Sequence, residues 1–528
     1  MTDTANTSAH DVVTALVTNG VMFGILLTCF MVLRLKFKRI YQPKSSFDLT
    51  NDGRKPDPLP KEPTAWLITL LTLKPAYIIE HAGLDAYLFV RYLAIVGLIA
   101  LGGCASFIIL FPVNSVGGGS EEGVDRVSMS NCTKPGRYYA HAVVSWFFYG
   151  MIMFVIYREL IFYSNLRNLI MSSPAYSKKL SARTVIFQTV TDQYLEEEQF
   201  FKLFEGVKTV WVARGQKSLA KKVAKRHRIA MQLEEALTCM LTKAMKVKLK
   251  ADKKGEIIEP ADEMVFYVPQ KKRPTTRPKM FSRSVDTIEY CKEEIPKLNS
   301  EIEELQQSYR SVKPMNSIAV EFENQYYAQL AYQCNIHDQP FHFMPKHIGV
   351  SPDDIIWGNM RLYWWERLPR STAAIAAIIA SIIFWAIPVA FVGMISNITY
   401  LTNMVHFLKF IYDMPKVFLG LITSLLPTVM LSLLMMVLPM FIRSMGKLRG
   451  EATYQRVELF TQQSYFAFQV IQVFLVTTIS SSIAATVTQI IKNPTSIMKL
   501  LSANVPKSSN FYVAYMILQE RNGIDSLI

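Results

Sequence analysis

Five residues within one strongly apolar stretch carry the first chemical signal: Glu458, Gln462, Gln469, Gln472 and Ser480. At about 100° per residue they project into a helix sector roughly 80° wide, with Phe460 and Phe474 on the opposite surface. A glutamine in hydrocarbon is costly unless its amide finds a hydrogen-bond partner or water. An aligned set therefore either lines a hydrated path for ions or bonds helix to helix as polar glue. Spacing alone leaves both readings open.

Other chemistries lack their residues. The sequence holds no GxSxG, HExxH, P-loop or strand-linked GxGxxG pattern. Cys29, Cys104, Cys132, Cys239, Cys291 and Cys334 show no CxxC or Cys/His spacing suited to zinc, and the eight histidines, His406 among them, are scattered. No catalytic residue, metal site or cofactor is expected, and the chain is not read as an enzyme.

The elements that must hold the polar stripe are membrane spans. Half of the 528 residues are hydrophobic, the mean hydropathy is +0.19, and several segments reach the ~20 apolar residues a spanning helix needs. Spans are expected at 12–35, 84–113, 138–163, 373–400, 417–442 and 459–491, with a partial span from 511. Lys36, Lys38 and Arg39 follow the first span instead of preceding it, so it reads as a retained helix with its N-terminus outside. Alternation then places the basic loops after the third and fifth spans, including Arg443, Lys447 and Arg449, in the cytosol. The loop 117–137 falls outside, and its Asn131-Cys132-Thr133 is a glycosylation sequon. Asn397-Ile398-Thr399 is a second sequon, close to the bilayer. Pro388, Pro427 and Pro439 lie within spans or near their ends, where each shapes packing or permits a kink.

Three regions follow: a membrane region at 1–163, a cytosolic domain at 164–370 and a second membrane region at 371–528. The middle region reads as strand 183–187, helix 196–204, strand 207–212, two charged helices at 217–250 and 287–312, strand 317–322 and helix 325–334. The expected fold is mainly α, a polytopic membrane protein with an inserted α/β domain of ferredoxin-like, RNA-recognition-like topology carrying a helical hairpin. The net charge of +15 admits nucleic acid or anionic lipid as partner. Residues 316–322 lack the Gly-aromatic signature of RNA readers, so nucleic acid is not expected. The basic run from Lys217 to Arg228 reads as a solvated helix face or a lipid-headgroup contact. Trp357, Trp364 and Trp365 with Arg367 and Arg370 suit a membrane interface, the alternative being rings packed inside the soluble domain.

A set of short motifs recurs in order along the chain. It comprises His81-Ala82-Gly83-Leu84-Asp85-Ala86, Arg183-Thr184-Val185, Ser317-Ile318-Ala319-Val320-Glu321-Phe322 with Ala328, Ala331 and Gln333, Asp354-Ile355-Ile356-Trp357-Gly358-Asn359, Leu426-Pro427-Thr428, Tyr465-Phe466-Ala467-Phe468, and Asn493-Pro494 leading to Leu500-Leu501, Pro506 and Ser509-Asn510-Phe511. Together they resemble the hyperosmolality-gated, calcium-permeable stress-gated cation channel family (OSCA-type) in its fungal-like branch, a relative of anoctamins and transmembrane channel-like proteins. The resemblance implies a mechanosensitive plasma-membrane cation channel that passes calcium, works as a homodimer among membrane lipids and opens under tension without ATP. It also implies a cytosolic domain between the third and fourth spans, and a pore built from the fourth to eighth, which puts Gln462, Gln469 and Gln472 on a pore helix. Kinship with anoctamins keeps lipid scrambling as an alternative. A member of the family would continue past Phe511 through a full span and four more, whereas here Glu520-Arg521-Asn522-Gly523-Ile524-Asp525 leads to Ile528. A truncated, non-conducting partner of complete relatives is therefore a further expectation.

Overall fold

In the computed structural model, residues 3–46, 55–62, 65–120, 126–215, 217–255, 268–269, 272–277, 283–385, 387–389 and 416–476 are described. The chain forms two compact units. One comprises Met1–Ile170, Ile378–Ile442 and Gln462–Ile528; the other comprises Met171–Ala377 and Arg443–Thr461. Residues 443–461 pack with the unit that holds Met171–Ala377.

The first unit contains long apolar helices: α1 (Asp3–Lys36), α2 (Leu84–Ser115) and α3 (Tyr138–Met171). Gly83, at φ 93°, separates the short helix Pro75–Ala82 from α2 in a conformation that favours glycine. Among the described residues, Leu84–Ser115 and Pro135–Met171 are long and apolar enough to cross a membrane. At 1.5 Å per residue, 32 residues extend about 48 Å, enough to span the hydrocarbon layer and project beyond it.

A charged pair joins α2 and α3. Arg91 Nε donates to Glu159 Oε2 at 2.7 Å and Arg91 Nη2 to Glu159 Oε1 at 3.0 Å, a two-pronged bond from α2 to α3. The Tyr87 hydroxyl accepts from Arg91 Nη1 at 3.2 Å, and the guanidinium lies 3.7 Å from the Phe162 ring centroid.

The second unit is built on a four-stranded antiparallel sheet of β1 (Thr184–Phe187), β2 (Val207–Arg214), β3 (Pro314–Phe322) and β4 (Lys346–Ile348), in the order β2-β3-β1-β4. Val185 faces Val320 and Ile186 faces His347 in the register. Alternation sends Val185 and Phe187 to one face, where α4 (Glu197–Leu203) and α7 (Gln325–Gln333) close a core with Phe200, Phe322, Ala328 and Phe343. Ile186 points the other way and packs with Ile355, Met360 and Ala452. The buried Lys346 ammonium donates to the carbonyls of Ala331 and Cys334, satisfying the C-terminal end of α7.

Between β2 and β3 rises the expected hairpin, α5 (Lys217–Lys254) against α6 (Thr287–Gln307). Ile229, Cys291 and Leu298 form its seam, and the Asp286 side chain caps α6 by accepting from Ile288 N at 2.8 Å. Part of the basic run is not a free face: Lys222 pairs with Glu301 at 2.9 Å and Lys225 with Glu294 at 2.6 Å.

After the sheet come α8 (Trp364–Ile383), α9 (Lys416–Arg449) and α10 (Tyr454–Phe468), the last continuing into a π-helical stretch at Gln469–Val476. Helix α8 starts nine residues before the expected span start at 373, so Trp364, Trp365, Arg367 and Arg370 share a helix with residues 373–383, while Trp357 lies in a separate turn.

Candidate functional site

Helices α9 and α10 are joined by a four-residue turn, Gly450 to Thr453, which is docked into the cytosolic unit. Gly450 ends α9 at φ 92°, and a Cβ there would stand 2.8 Å from Leu362 Cδ1. Both its conformation and its closeness to a neighbour require glycine. Ala452, 1% exposed, enters the cluster beneath Ile186, and its carbonyl accepts from Ile356 N at 2.8 Å. Ile355 forms a bridge with Thr453. Asn359 Nδ2 donates to the carbonyls of Lys447 (2.9 Å) and Glu451 (2.8 Å), while Asp354 Oδ1 accepts from Gln455 N at 3.2 Å. The helices approach closely beside the turn, since a Cβ on Gly446 would lie 3.1 Å from Val457 and 3.2 Å from Phe460.

Electrostatics reinforce the dock. The Glu451 side chain is 9% exposed and receives Arg367 Nη2 at 3.9 Å and Arg449 Nε at 3.5 Å. Arg449 Nε also donates to Ser371 Oγ at 3.1 Å, and its guanidinium lies over the Phe460 ring at 4.8 Å. Burial, with Arg456 and Arg449 nearby, pushes Arg367 below its ordinary value, and Glu451 opposes that shift. His347, on β4, is 4% exposed and held neutral down to about 4, first by burial and then by Arg456 and Arg367.

A pH dependence follows from His347. Its folded pKa is depressed, so the unfolded chain takes a proton that the folded one refuses. The associated stability is complete above about 6.5 and falls away as pH drops towards about 4, amounting to about 3 kcal/mol over that window. Thermal unfolding of the full chain between pH 7 and 4.5 checks this: His347→Gln is expected to flatten the acid side of the profile.

The polar stripe is placed differently from the projection. Val457, Phe460, Thr461 and Phe468 form the buried face of α10, and Gln462 lies exposed on its flank. Gln469 and Gln472 are half-buried. Glu458 is exposed and paired with Arg443 at 2.7 Å, so it is not a free acid on the stripe. The 100° rule fails from Gln469 onward: π winding turns each residue by less, and Gln472 loses the register with Gln462 and Gln469 that a regular helix would give. Ser480 lies outside the described residues, as do Asn397 and His406.

The interface set divides. Trp357, Trp364 and Trp365 are 53%, 40% and 52% exposed, so these rings are not buried in the domain core. Trp364 stacks on Phe341 and Trp365 on Tyr363. Arg370 is half-buried. Arg367 turns its guanidinium to Glu451, because a half-buried cation needs a counter-charge.

The sequon residue Asn131 is held inside its loop. It is 2% exposed, and its Nδ2 donates to the carbonyls of Asn114 (2.8 Å) and Arg126 (3.1 Å). The amide nitrogen a glycan would occupy is committed inside the loop. Asn114 is the hub there, donating to the Val127 carbonyl at 2.8 Å and accepting from Cys132 Sγ and His141 Nε2. Enzymatic deglycosylation is expected to leave the mobility of the native chain unchanged, and Asn131→Asp to cost about 1–3 kcal/mol through a buried amide replaced by an acid.

Sequence reasoning missed Glu451, Ala452 and the strand Lys346–Ile348. It also passed over Arg91 and Glu159, although charge within an apolar span is itself a signal.

Long apolar helices and an inserted α/β unit are consistent with a membrane protein that has a cytosolic domain, and three family models match in turn along the chain. Residues 11–159 match "Late exocytosis, associated with Golgi transport", 182–359 match "Cytosolic domain of 10TM putative phosphate transporter", and 370–525 match "Calcium-dependent channel, 7TM region, putative phosphate". Similar proteins include Uncharacterized protein RSN1 of Saccharomyces cerevisiae, 50% identical over 97% of this chain and 55% of the relative. An uncharacterized membrane protein of Schizosaccharomyces pombe is 39% identical over 98% of this chain and 60% of its own length. Hyperosmolality-gated Ca2+ permeable channel 1.5 of Arabidopsis thaliana is 23% identical over 87% of this chain and 60% of its own. The chain belongs to the OSCA/CSC1 family. It spans between half and two thirds of the length of these relatives.

Proposed function

We propose that this chain belongs to a calcium-permeable cation channel opened by osmotic or membrane stress, with α9 and α10 as pore helices. The docked turn carries the reading: a force on the cytosolic unit reaches both helices through Ala452 and Glu451, which are buried among its residues. Gln462 and Gln469, which keep a common face, are read as lining the path, with the Arg443–Glu458 pair at its cytosolic mouth. The α/β unit is read as ferredoxin-like from its βαβ-βαβ order and antiparallel sheet. The basic end of α1 supports reading the N-terminus as outside, while the plasma membrane and a homodimer are read from the family resemblance alone. A matching family described as a calcium-dependent channel and a relative named as a Ca2+ permeable channel support cation passage.

Lipid scrambling is the second reading, because the exposed flank at Gln462 would also serve headgroups. Proteoliposomes loaded with a calcium dye and carrying fluorescent lipid separate the two. Calcium entry on osmotic challenge, without faster lipid exchange than empty liposomes, supports the channel. Lipid exchange without calcium entry overturns it.

A further inference from the structure

Helix α5 carries two apolar faces, one packed and one exposed. At about 100° per residue, Ala236, Met240, Ala244 and Ala251 share one side, where all four are buried, and Ile229 continues it into the seam with α6. On the adjoining side Leu237, Leu241, Met245 and Leu249 follow at every fourth residue and are 37%, 49%, 55% and 54% exposed. They form a stripe about 120° wide and about 18 Å long. Charge also changes along the helix. In its first half Lys222 and Lys225 pair with Glu301 and Glu294, and Arg226 donates to Asn299 Oδ1. Helix α6 begins at Thr287, and its Ile288 packs on Met240 and Ala244, so the α6 glutamates answer only that first half. From Lys243 to Lys254 six lysines stand against the single Asp252. Among the described residues, no carboxylate lies within ion-pair distance of these six.

We propose that the stripe from Leu237 to Leu249 docks into the groove of a calcium-loaded EF-hand protein. On binding calcium such a protein opens a helix pair into a methionine-rich groove, which takes one apolar face of an amphipathic helix. Its carboxylate-rich calcium loops make it acidic, and the uncompensated lysines of α5 supply the complementary charge. A single lobe covers one face, so the seam of α5 with α6 stays closed. A bilayer is the other surface that basic amphipathic helices meet, but interfacial helices set Trp, Tyr or Phe at the boundary, and no ring stands among these four anchors. Helix α6, with six glutamates and two lysines, is also repelled by an anionic leaflet. The docking site does not depend on the channel reading. Its use as feedback on calcium entry does rest on that reading.

The test titrates dansyl-labelled calmodulin, as the EF-hand probe, with the full chain in phosphatidylcholine nanodiscs. Saturable binding is expected in calcium and its loss in EGTA. Leu241→Gln, at an exposed position where folding is little affected, is expected to weaken binding about tenfold, the loss of one anchor side chain. Replacing Lys246, Lys248 and Lys250 together by Gln is expected to slow association and flatten its salt dependence. Leu330→Gln, a like change at a 47% exposed position on α7, is expected to leave binding unaltered. No binding in calcium, equal binding in EGTA, or curves for wild type and Leu241→Gln that superimpose overturn the proposal. Loss of calmodulin binding when phosphatidylserine replaces phosphatidylcholine assigns the face to the membrane surface and also overturns it. A dimer in detergent that Leu241→Gln dissociates assigns the face to a second copy, with the same consequence. Binding is read, not current, so failure here leaves the channel reading untouched, and silent patches leave this site untouched.

Discussion

Glu159→Ala is expected to cost the first unit roughly 3 kcal/mol, more than any surface change in the molecule. Arg91 would be left between two apolar helices, with only the Tyr87 hydroxyl and the Phe162 ring to face. Removing both charges is expected to hurt less than removing one, because the cost lies in the orphaned ion and not in the lost attraction. A cycle of Arg91→Met, Glu159→Met and the double variant, followed by thermal inactivation in detergent, measures this. The double variant should be more stable than either single one. Strict additivity would show that the two side chains do not share one interaction.

Glu451→Ala is the second large effect, expected to loosen the turn by about 3 kcal/mol. Arg367 and Arg449 then face each other and Arg456 with no carboxylate between them. Ala452→Leu reaches the same end without touching charge, since a larger side chain cannot enter the space beneath Ile186. Hydrogen exchange at the Ile356 amide, which donates to Ala452, reports the docking directly. Both variants should speed that exchange while the amides of β1 and β3 stay protected. Uniform acceleration across the sheet would mean that the whole domain has been destabilised and the turn is not a separate latch.

These two devices also mark how far the amino-acid sequence was readable. Period-2 and period-3.6 patterns placed the strands at 184–187, 207–214 and 314–322 and the hairpin helices within a few residues, because each buries one face against a core. Lys346–Ile348 escaped, since three residues with Lys and His at their head carry no strand pattern; burial is supplied by Phe187 and α7, far away in the chain. Glu451 escaped for a related reason. A glutamate after Arg449 and Gly450 reads as a solvated loop, and its meaning depends on Arg367, 84 residues earlier. The stripe was legible as composition and not as geometry, because no pattern announces where α winding becomes π winding at Gln469. Asn131 fitted a three-residue rule that is blind to burial.

Pressure steps on patches excised from proteoliposomes, with calcium as charge carrier and wild type compared against Glu451→Ala, test the coupling most directly. The docked turn predicts stretch-evoked calcium current in wild type and a displaced pressure midpoint in the variant, with unitary current unchanged because Glu451 lies off the path. Silent wild-type patches with insertion verified would contradict the channel. Identical midpoints, with the Ile356 amide shown to be freed, would contradict the idea that force reaches α9 and α10 through this turn.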